Sequence, residues 1–352
     1  MKPFTYVGLP MRVVFGAGAV AQLPAEVDAL GAKRVLVLST PGREADATRL
    51  AACLGGRMVG VYGKAVMHVP IDVAEDARRV AKGLGADGCV AIGGGSTIGL
   101  GKAIALTSGL PVLAVPTTYS GSEMTPIQGF TEKGLKRTQR DARMLPKTVI
   151  YDPELTYGLP AATSAASGMN AIAHCVEALY AKEANPVISI MAEEGIRAMA
   201  AALPRLVNEP QDAGARGDAL YGAWLAGVAL GTVGMALHHK LCHTLGGTWN
   251  LPHAETHAIV LPHAARYNRD AAPEAMARIA RALGAADAPA GLYDLEGRLG
   301  LKMRLADLGM PEADLERAAQ LAADAPYPNP APLTREGILA LLRAAHAGRR
   351  PA

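Results

Sequence analysis

Two hydrophobic textures divide this chain. Up to about residue 152, short apolar runs alternate with amphipathic stretches; beyond it come long Ala-, Leu- and Met-rich segments, with almost no β-branched runs before LPHAARYN at 261–268. RVLVLS (34–39), MVGVY (58–62), CVAIGGG (89–95), PVLAVPTT (111–118) and TVIYD (148–152) are nearly continuous in apolar residues, the pattern of parallel strands buried on both faces. AGAVAQLPAEVDALG, EADATRLAACLG, DVAEDARRVAKGLG and TIGLGKAIALTSG lie before or between them, and each closes on the glycine that commonly ends a helix. This alternation predicts a doubly wound, Rossmann-like α/β domain over residues 1–153. The texture from Pro160 onward predicts an all-α domain over residues 154–352, with Pro153 opening the turn between the two. The active site is expected in the cleft between these domains.

Composition narrows the classes of function. With 352 residues, half of them hydrophobic, the chain is long enough to build two cores. A net charge of +3, with no Lys/Arg cluster interleaved with aromatics, argues against nucleic acid and for small-molecule chemistry. There is no apolar run of membrane-spanning length, and MKPFTYVGLPMRVVFG lacks the apolar core and cleavage site of a signal peptide. No membrane association and a cytoplasmic location are therefore expected. Cys53, Cys89, Cys175 and Cys242 form no CxxC pair and sit among small apolar neighbours, as buried structural thiols do.

Candidate chemistry begins at AIGGGSTIGLGKAIA (91–105), where Gly93, Gly94 and Gly95 stand between a strand and a helix. Lacking Cβ atoms, they allow the backbone to approach a diphosphate closely, while Ser96 and Thr97 offer hydroxyls at the helix N-terminus. The motif is neither GxGxxG nor a P-loop, and taken alone it equally describes a tight turn with no ligand. PTTYSGSE (116–123) ends the next strand, however, and brings Thr117, Thr118, Ser120 and Ser122 to the carboxyl edge of the same sheet. Open α/β sheets bind ligands at that edge, which favours a nucleotide. The early strand RVLVLS runs into Ser39, Thr40 and Pro41 with no carboxylate to repel a 2′-phosphate, so both NADH and NADPH remain open.

Six of the nine histidines fall between residues 238 and 263. His239 and His243 are four apart on one helix face, Gly246-Gly247 reads as a helix stop, and His253 follows a proline. Asn170 and His174 show the same spacing on an earlier helix. Together they give up to four imidazoles for one site. His238 points about 100° away from His239, and His263 and His346 read as core or surface residues.

GGGST (93–97), PTT (116–118), GSE (121–123), DPEL (152–155), GMNAIAH (168–174), HKLCHTLGG (239–247) and PHA (252–254) resemble the iron-containing alcohol dehydrogenase superfamily. The likeness runs in order from RVVFGAG (12–18) to YPNP (327–330) and implies the dehydroquinate synthase-like fold of that superfamily. In its metal-dependent members an Asp and a His on one helix join two later histidines around the metal. Mapped by motif, those positions are Asn170, His174, His239 and His253, with 253 − 239 = 14 as the spacing that the superfamily keeps between its last two ligands. The carboxylate has become an amide. The maleylacetate reductase branch is similar in carrying this asparagine, in working without metal and in running PTTY directly into GSE. His68-Val69-Pro70 also stands where the iron enzymes tend to have Asn-Pro.

Resemblance to that branch implies NADH- or NADPH-dependent reduction of the 2,3 double bond of maleylacetate, a small dianionic substrate, to 3-oxoadipate. It places this reaction in aromatic compound catabolism through hydroxyquinol-type intermediates, with no metal and in a homodimer. Hydride adds to C2, charge develops on the C4 ketone oxygen as an enolate, and C3 takes a proton. His174, His239, His243 and His253 are the expected oxyanion donors, one of them the general acid. Asn170, Ser120 and Tyr327 are expected to touch substrate, Tyr327 by resemblance only, since a surface aromatic in a proline-rich turn reads the same way. Lys147 is expected among the cofactor contacts, with Ser39, Gly93, Gly94, Gly95, Ser96, Thr97, Thr117, Thr118 and Ser122. Two rivals stand beside this reading. One is a metal-dependent alcohol dehydrogenase acting on a small alcohol or aldehyde, since three histidines with an open position can hold zinc. The other is a nucleotide-binding protein without turnover.

Overall fold

The apolar runs of the first half become strands whose register sets the edge at which ligands bind. In the computed structural model, residues 4–66, 69–132, 135–324 and 327–351 are described, so His68 lies outside the described residues. The first compact unit, Leu9–Leu159, contains β1 (Arg12–Phe15), α1 (Leu23–Ala29), β2 (Val35–Leu38), α2 (Glu44–Ala51), β3 (Met58–Tyr62), α3 (Ile71–Gly83), β4 (Gly88–Gly93), α4 (Gly95–Ser108), β5 (Val112–Pro116), β6 (Ile127–Glu132), β7 (Leu135–Arg140) and β8 (Thr148–Tyr151). Among the described residues, six strands form a parallel sheet in the order β1-β8-β5-β4-β2-β3. Valine, leucine and isoleucine fill its centre, where β2, β5 and β8 are buried throughout. The edge strand β3 is different: four of its five residues are only half buried, because an edge strand lacks a neighbour on one side.

Two features of this unit depart from the alternating pattern. The antiparallel hairpin β6–β7 interrupts it, and neither of its strands carries the continuous apolar run by which the buried strands were recognised. The unit also extends six residues past the expected boundary at Pro153. The Asp152 carboxylate accepts from the backbone N–H groups of Gly18 (3.1 Å), Val20 (3.0 Å) and Glu154 (3.0 Å), which ties the short turn Pro153–Thr156 to the sheet.

The second unit begins at Pro160 and includes the N-terminal residues up to Gly8. Its helices are α5 (Ala161–Tyr180), α6 (Pro186–Asn208), α7 (Ala213–Thr232), α8 (Leu237–Trp249), α9 (His253–Asn268), α10 (Pro273–Leu283), α11 (Ala288–Arg298), α12 (Leu315–Ala323) and α13 (Arg335–Ala347). α5 is buried from Ser164 to Leu179. A Cβ at Gly168 would collide with Leu203, so this glycine permits the close approach of α6. α8 and α9 are fixed by a core that includes Leu241, Leu245, Ile259, Val260, Leu315, Ile338 and Leu342. α8 does not stop at Gly246-Gly247. It runs to Trp249 and ends where Asn250 turns left-handed (φ 53°), a conformation asparagine tolerates, just before Leu251-Pro252. Cys53 is exposed rather than buried, since it falls in a short 3-10 turn after α2, whereas Cys89, Cys175 and Cys242 are buried as expected. Among the described residues, no single helix is long and apolar enough to cross a membrane.

Candidate active site

In the sheet unit, register joins the two loops that the sequence singled out. Gly93 at the end of β4 pairs with Pro116 at the end of β5, so the glycine turn and the PTTYS loop leave one sheet edge side by side. Gly93 has φ +152°, and a Cβ there would lie 2.5 Å from Thr97 Oγ1. At Gly94 a Cβ would stand 2.9 Å from Thr118 Cγ2, and at Gly95 3.6 Å from Ser120 Oγ. The hydroxyls of Thr97 and Thr118 are buried and have no hydrogen-bond partner among the described residues. Such groups are costly to leave unmet. Next to a helix N-terminus with bare backbone N–H groups, they fit a phosphate group.

Lys102 braces this cradle. Fully buried on α4, its ammonium donates to Ser122 O (2.5 Å), Ile127 O (2.7 Å), Thr125 Oγ1 (2.9 Å) and Ser122 Oγ (3.0 Å). Burial pulls Lys102 down to about 7 while the Glu123 carboxylate acts the other way. Glu123, also fully buried, accepts from Tyr151 Oη at 2.8 Å and from Ser120 Oγ at 3.4 Å. The Ser122 hydroxyl is thus engaged by Lys102, while Thr117 and Ser96 stay half-exposed.

Two expected cofactor contacts are placed differently. The Ser39 side chain is fully buried, with Thr40 O as its acceptor at 3.5 Å. Lys147 precedes β8, and its N–H donates to Val112 O at the start of β5, which puts it at the amino edge of the sheet. The cradle leaves the carboxyl edge, four residues further along, or about 13 Å at the usual strand rise. Lys147 is therefore not part of the cradle.

The histidines of the helical unit converge. Asn170, His174 and Glu177 are spaced four and three apart along α5 and share a face. The His174 and His239 rings lie 5.0 Å apart, and His257 is 5.0 Å from His239, 4.9 Å from His238 and 4.2 Å from His253. His243 stacks near-parallel to His253 at 6.4 Å. Asn170, His174, His238, His239 and His257 are buried, whereas His243 and His253 are half-exposed, so the nest has a closed floor and a more open rim. Burial drives His174 and His257 well below the ordinary imidazole value, and repulsion from neighbouring rings adds to it. His238 is lowered too, again chiefly by burial. Burial thus favours the neutral form of His174, His238 and His257.

Fully buried Glu177 accepts from His239 Nδ1 at 2.7 Å. Burial raises this carboxyl, opposed by His238 and by three backbone N–H groups. Among the described residues, Asn170 Oδ1, His174 Nδ1 and both ring nitrogens of His257 have no partner. Tyr327 is half-buried rather than a surface aromatic, with a buried hydroxyl that finds no partner among the described residues and Lys240 Nζ 5.8 Å from its ring centre. His263 is a buried core residue, and His346 reaches Met310 O at 3.0 Å.

Sequence reasoning missed His257, Glu177 and Lys102. His257 carried a signal, standing four residues after His253 in HAETH, the spacing already noted for His239 and His243. Glu177, three after His174, and Lys102 acquire meaning only once packing buries them.

Iron does not fit these donors. Asn170, His174, His239 and His253 supply no anion, and a non-haem iron site asks for a carboxylate. One nitrogen each of His238, His239 and His257 comes within 4.8 Å of the others. Yet His238 Nε2 is taken up by the His257 carbonyl at 2.8 Å and His239 Nδ1 by Glu177, and again no carboxylate belongs to the group.

Residues 10–153 match the iron-containing alcohol dehydrogenase family, and residues 164–346 match the Fe-containing alcohol dehydrogenase family, C-terminal. The chain is 61% identical over 351 residues to the maleylacetate reductase of Burkholderia cepacia, covering 100% of both proteins. It is 57% identical over 348 residues to the maleylacetate reductase of Sphingobium indicum, covering 99% of each. The crystal structure of maleylacetate reductase from Agrobacterium tumefaciens superposes with a TM-score of 0.97 at 52% identity, over 100% of both chains. The chain belongs to the iron-containing alcohol dehydrogenase family, in the branch of the maleylacetate reductases.

Proposed function

We propose that this chain reduces the 2,3 double bond of maleylacetate to 3-oxoadipate with NADH or NADPH, without a metal and as a homodimer, in the catabolism of aromatic compounds. The observation that carries this reading is the nest itself, where the amide of Asn170 stands among neutral imidazoles. Relatives at 61% and 57% identity bear the same activity as their name.

Bound NADH or NADPH supplies the hydride that C2 of the substrate accepts. The hydroxyls of Thr97 and Thr118, unpartnered among the described residues, would hold the cofactor's diphosphate together with the N–H groups of Gly94 and Gly95. Charge then develops on the C4 ketone oxygen as an enolate. A conjugated enolate is far less basic than the alkoxide of a simple alcohol, so hydrogen bonds suffice where a metal would otherwise act as Lewis acid. His243 and His253, the open rim, reach that oxygen and deliver the proton to C3. Asn170 donates its amide N–H to a substrate carboxylate, a place where an aspartate would repel the dianion.

Following NADH oxidation with fresh maleylacetate beside small aldehydes, and identifying the product, tests the assignment. Maleylacetate is expected to be consumed with formation of 3-oxoadipate. Aldehyde reduction without maleylacetate reduction would overturn it in favour of an alcohol dehydrogenase.

A further inference from the structure

The helix that carries His239 and His243 begins in the interior without a cap of its own. Ala236 occupies its N-cap position and has no side-chain acceptor to offer. The first N–H groups of a helix have no intrahelical partners, and leaving them unmet in a buried place is costly. Here two side chains from elsewhere meet them. Glu177 on α5 accepts from Ala236 N (2.9 Å), His238 N (2.8 Å) and His239 N (3.4 Å), and Asn329 Oδ1 accepts from Leu237 N (3.4 Å). Asn329 is held in turn by a reciprocal amide pair with Asn268 of α9, at 2.7 and 3.0 Å.

The carboxylate oxygen that accepts from Ala236 N also accepts from His239 Nδ1 at 2.7 Å. A carboxylate only accepts, so the hydrogen of a neutral His239 must sit on Nδ1, leaving the lone pair on Nε2. We infer that Glu177 is a positioning residue of this site: it caps α8 from α5 and fixes His239 in one tautomer and one orientation, with Nε2 left for the reaction. The inference rests on the catalytic reading of the nest given above. It also divides the labour among the imidazoles. With its hydrogen on Nδ1, His239 presents an acceptor at Nε2, and oxyanion donation is assigned to the rim pair, His243 and His253.

Glu177→Gln tests this, because the amide keeps one oxygen for the backbone N–H groups but turns an N–H₂ toward His239 or gives up part of the cap. The variant is expected to keep its circular dichroism and its affinity for NADH while kcat with maleylacetate falls roughly 10- to 100-fold, the usual cost of removing a partner that orients an imidazole. The same substitution in a His239→Ala background is expected to lower kcat no further. An equal loss in both backgrounds would mean that Glu177 supports only the fold, and an unchanged kcat in the single variant would likewise overturn its role. A second readout needs no substrate. Imidazole ¹⁵N spectra, with His239 assigned through His239→Ala, are expected to show an Nδ1–H tautomer in the parent that is lost in Glu177→Gln. An Nε2–H tautomer in the parent refutes the inference even if maleylacetate is turned over. Failure of the parent to reduce maleylacetate refutes the proposed function while leaving this spectrum to judge Glu177.

Discussion

The glycine cradle of the sheet unit and the histidine nest of the helical unit are made of different materials. In the cradle the recognising surface is largely backbone: glycines without side chains, a helix N-terminus and two threonine hydroxyls whose buried oxygens lack a partner among the described residues. Two fully buried ionisable side chains, Lys102 and Glu123, support the loop from behind. In the nest the recognising surface is side chains, mostly uncharged, and one fully buried carboxylate, Glu177, orders them. Backbone sites tolerate change in side chains but not added volume. Side-chain sites respond the other way, and that difference can be measured.

The largest effect is expected at the rim of the nest. One well-placed oxyanion donor is worth about 2.7 to 4 kcal/mol of barrier, so His243→Ala or His253→Ala should each lower kcat about a hundredfold or more. NADH affinity should hold, and near-parent turnover in both variants would break the assignment of the nest as catalytic.

A pH effect of comparable size follows from the buried imidazoles. Burial lowers His263 to about 4, whereas in the unfolded chain it titrates near 6.5. Below about 6.5 the unfolded chain binds the proton and the folded one does not, so stability is full above that pH and declines as pH falls toward 4. One such group is worth ~3 kcal/mol across the window, and His174 and His257 act in the same direction. Thermal melting of the helical unit should drop clearly between pH 7 and pH 5; a flat profile contradicts neutral burial.

In the cradle, Gly94→Ala should push its methyl against Thr118, which lies 2.9 Å from the ideal Cβ position. Overpacking of this kind costs about 1–3 kcal/mol. It should appear as an NADH dissociation constant raised about tenfold, with kcat at saturating NADH changed far less. The smallest effect is expected from Lys147→Ala: at the opposite edge of the sheet, it should leave the KM for NADH and NADPH unchanged. A marked rise would return Lys147 to the cofactor site.

The two regions were unequally legible in the sequence. Strand periodicity and the GGGST turn placed the glycine loop between β4 and α4, because a tight passage from a buried strand to a helix writes itself as glycine at fixed positions. Lys147 went astray because its place depends on which end of a strand it precedes, and short-range pattern is blind to that. In the nest, the i,i+4 pairs placed His239, His243, Asn170 and His174 on shared helix faces. The tier of each ring, floor or rim, follows from how α5, α8 and α9 pack, and no spacing encodes it. Glu177 is the extreme case. In HCVEAL it reads as an ordinary helix residue, and only burial against the uncapped start of α8 makes it the partner of His239. Gly246-Gly247 shows the converse, a strong local stop signal overridden because α8 packs through it to Trp249.

The central claim is that a nest of hydrogen bonds does here what a metal does in the iron enzymes of the family. Its most direct test measures metal content and maleylacetate turnover on the same sample, before and after exhaustive chelation, and again after adding Fe²⁺ or Zn²⁺. Undiminished turnover in metal-free protein, with no gain from either ion, is the predicted result. Loss of turnover on chelation and its rescue by one of the ions would contradict the account.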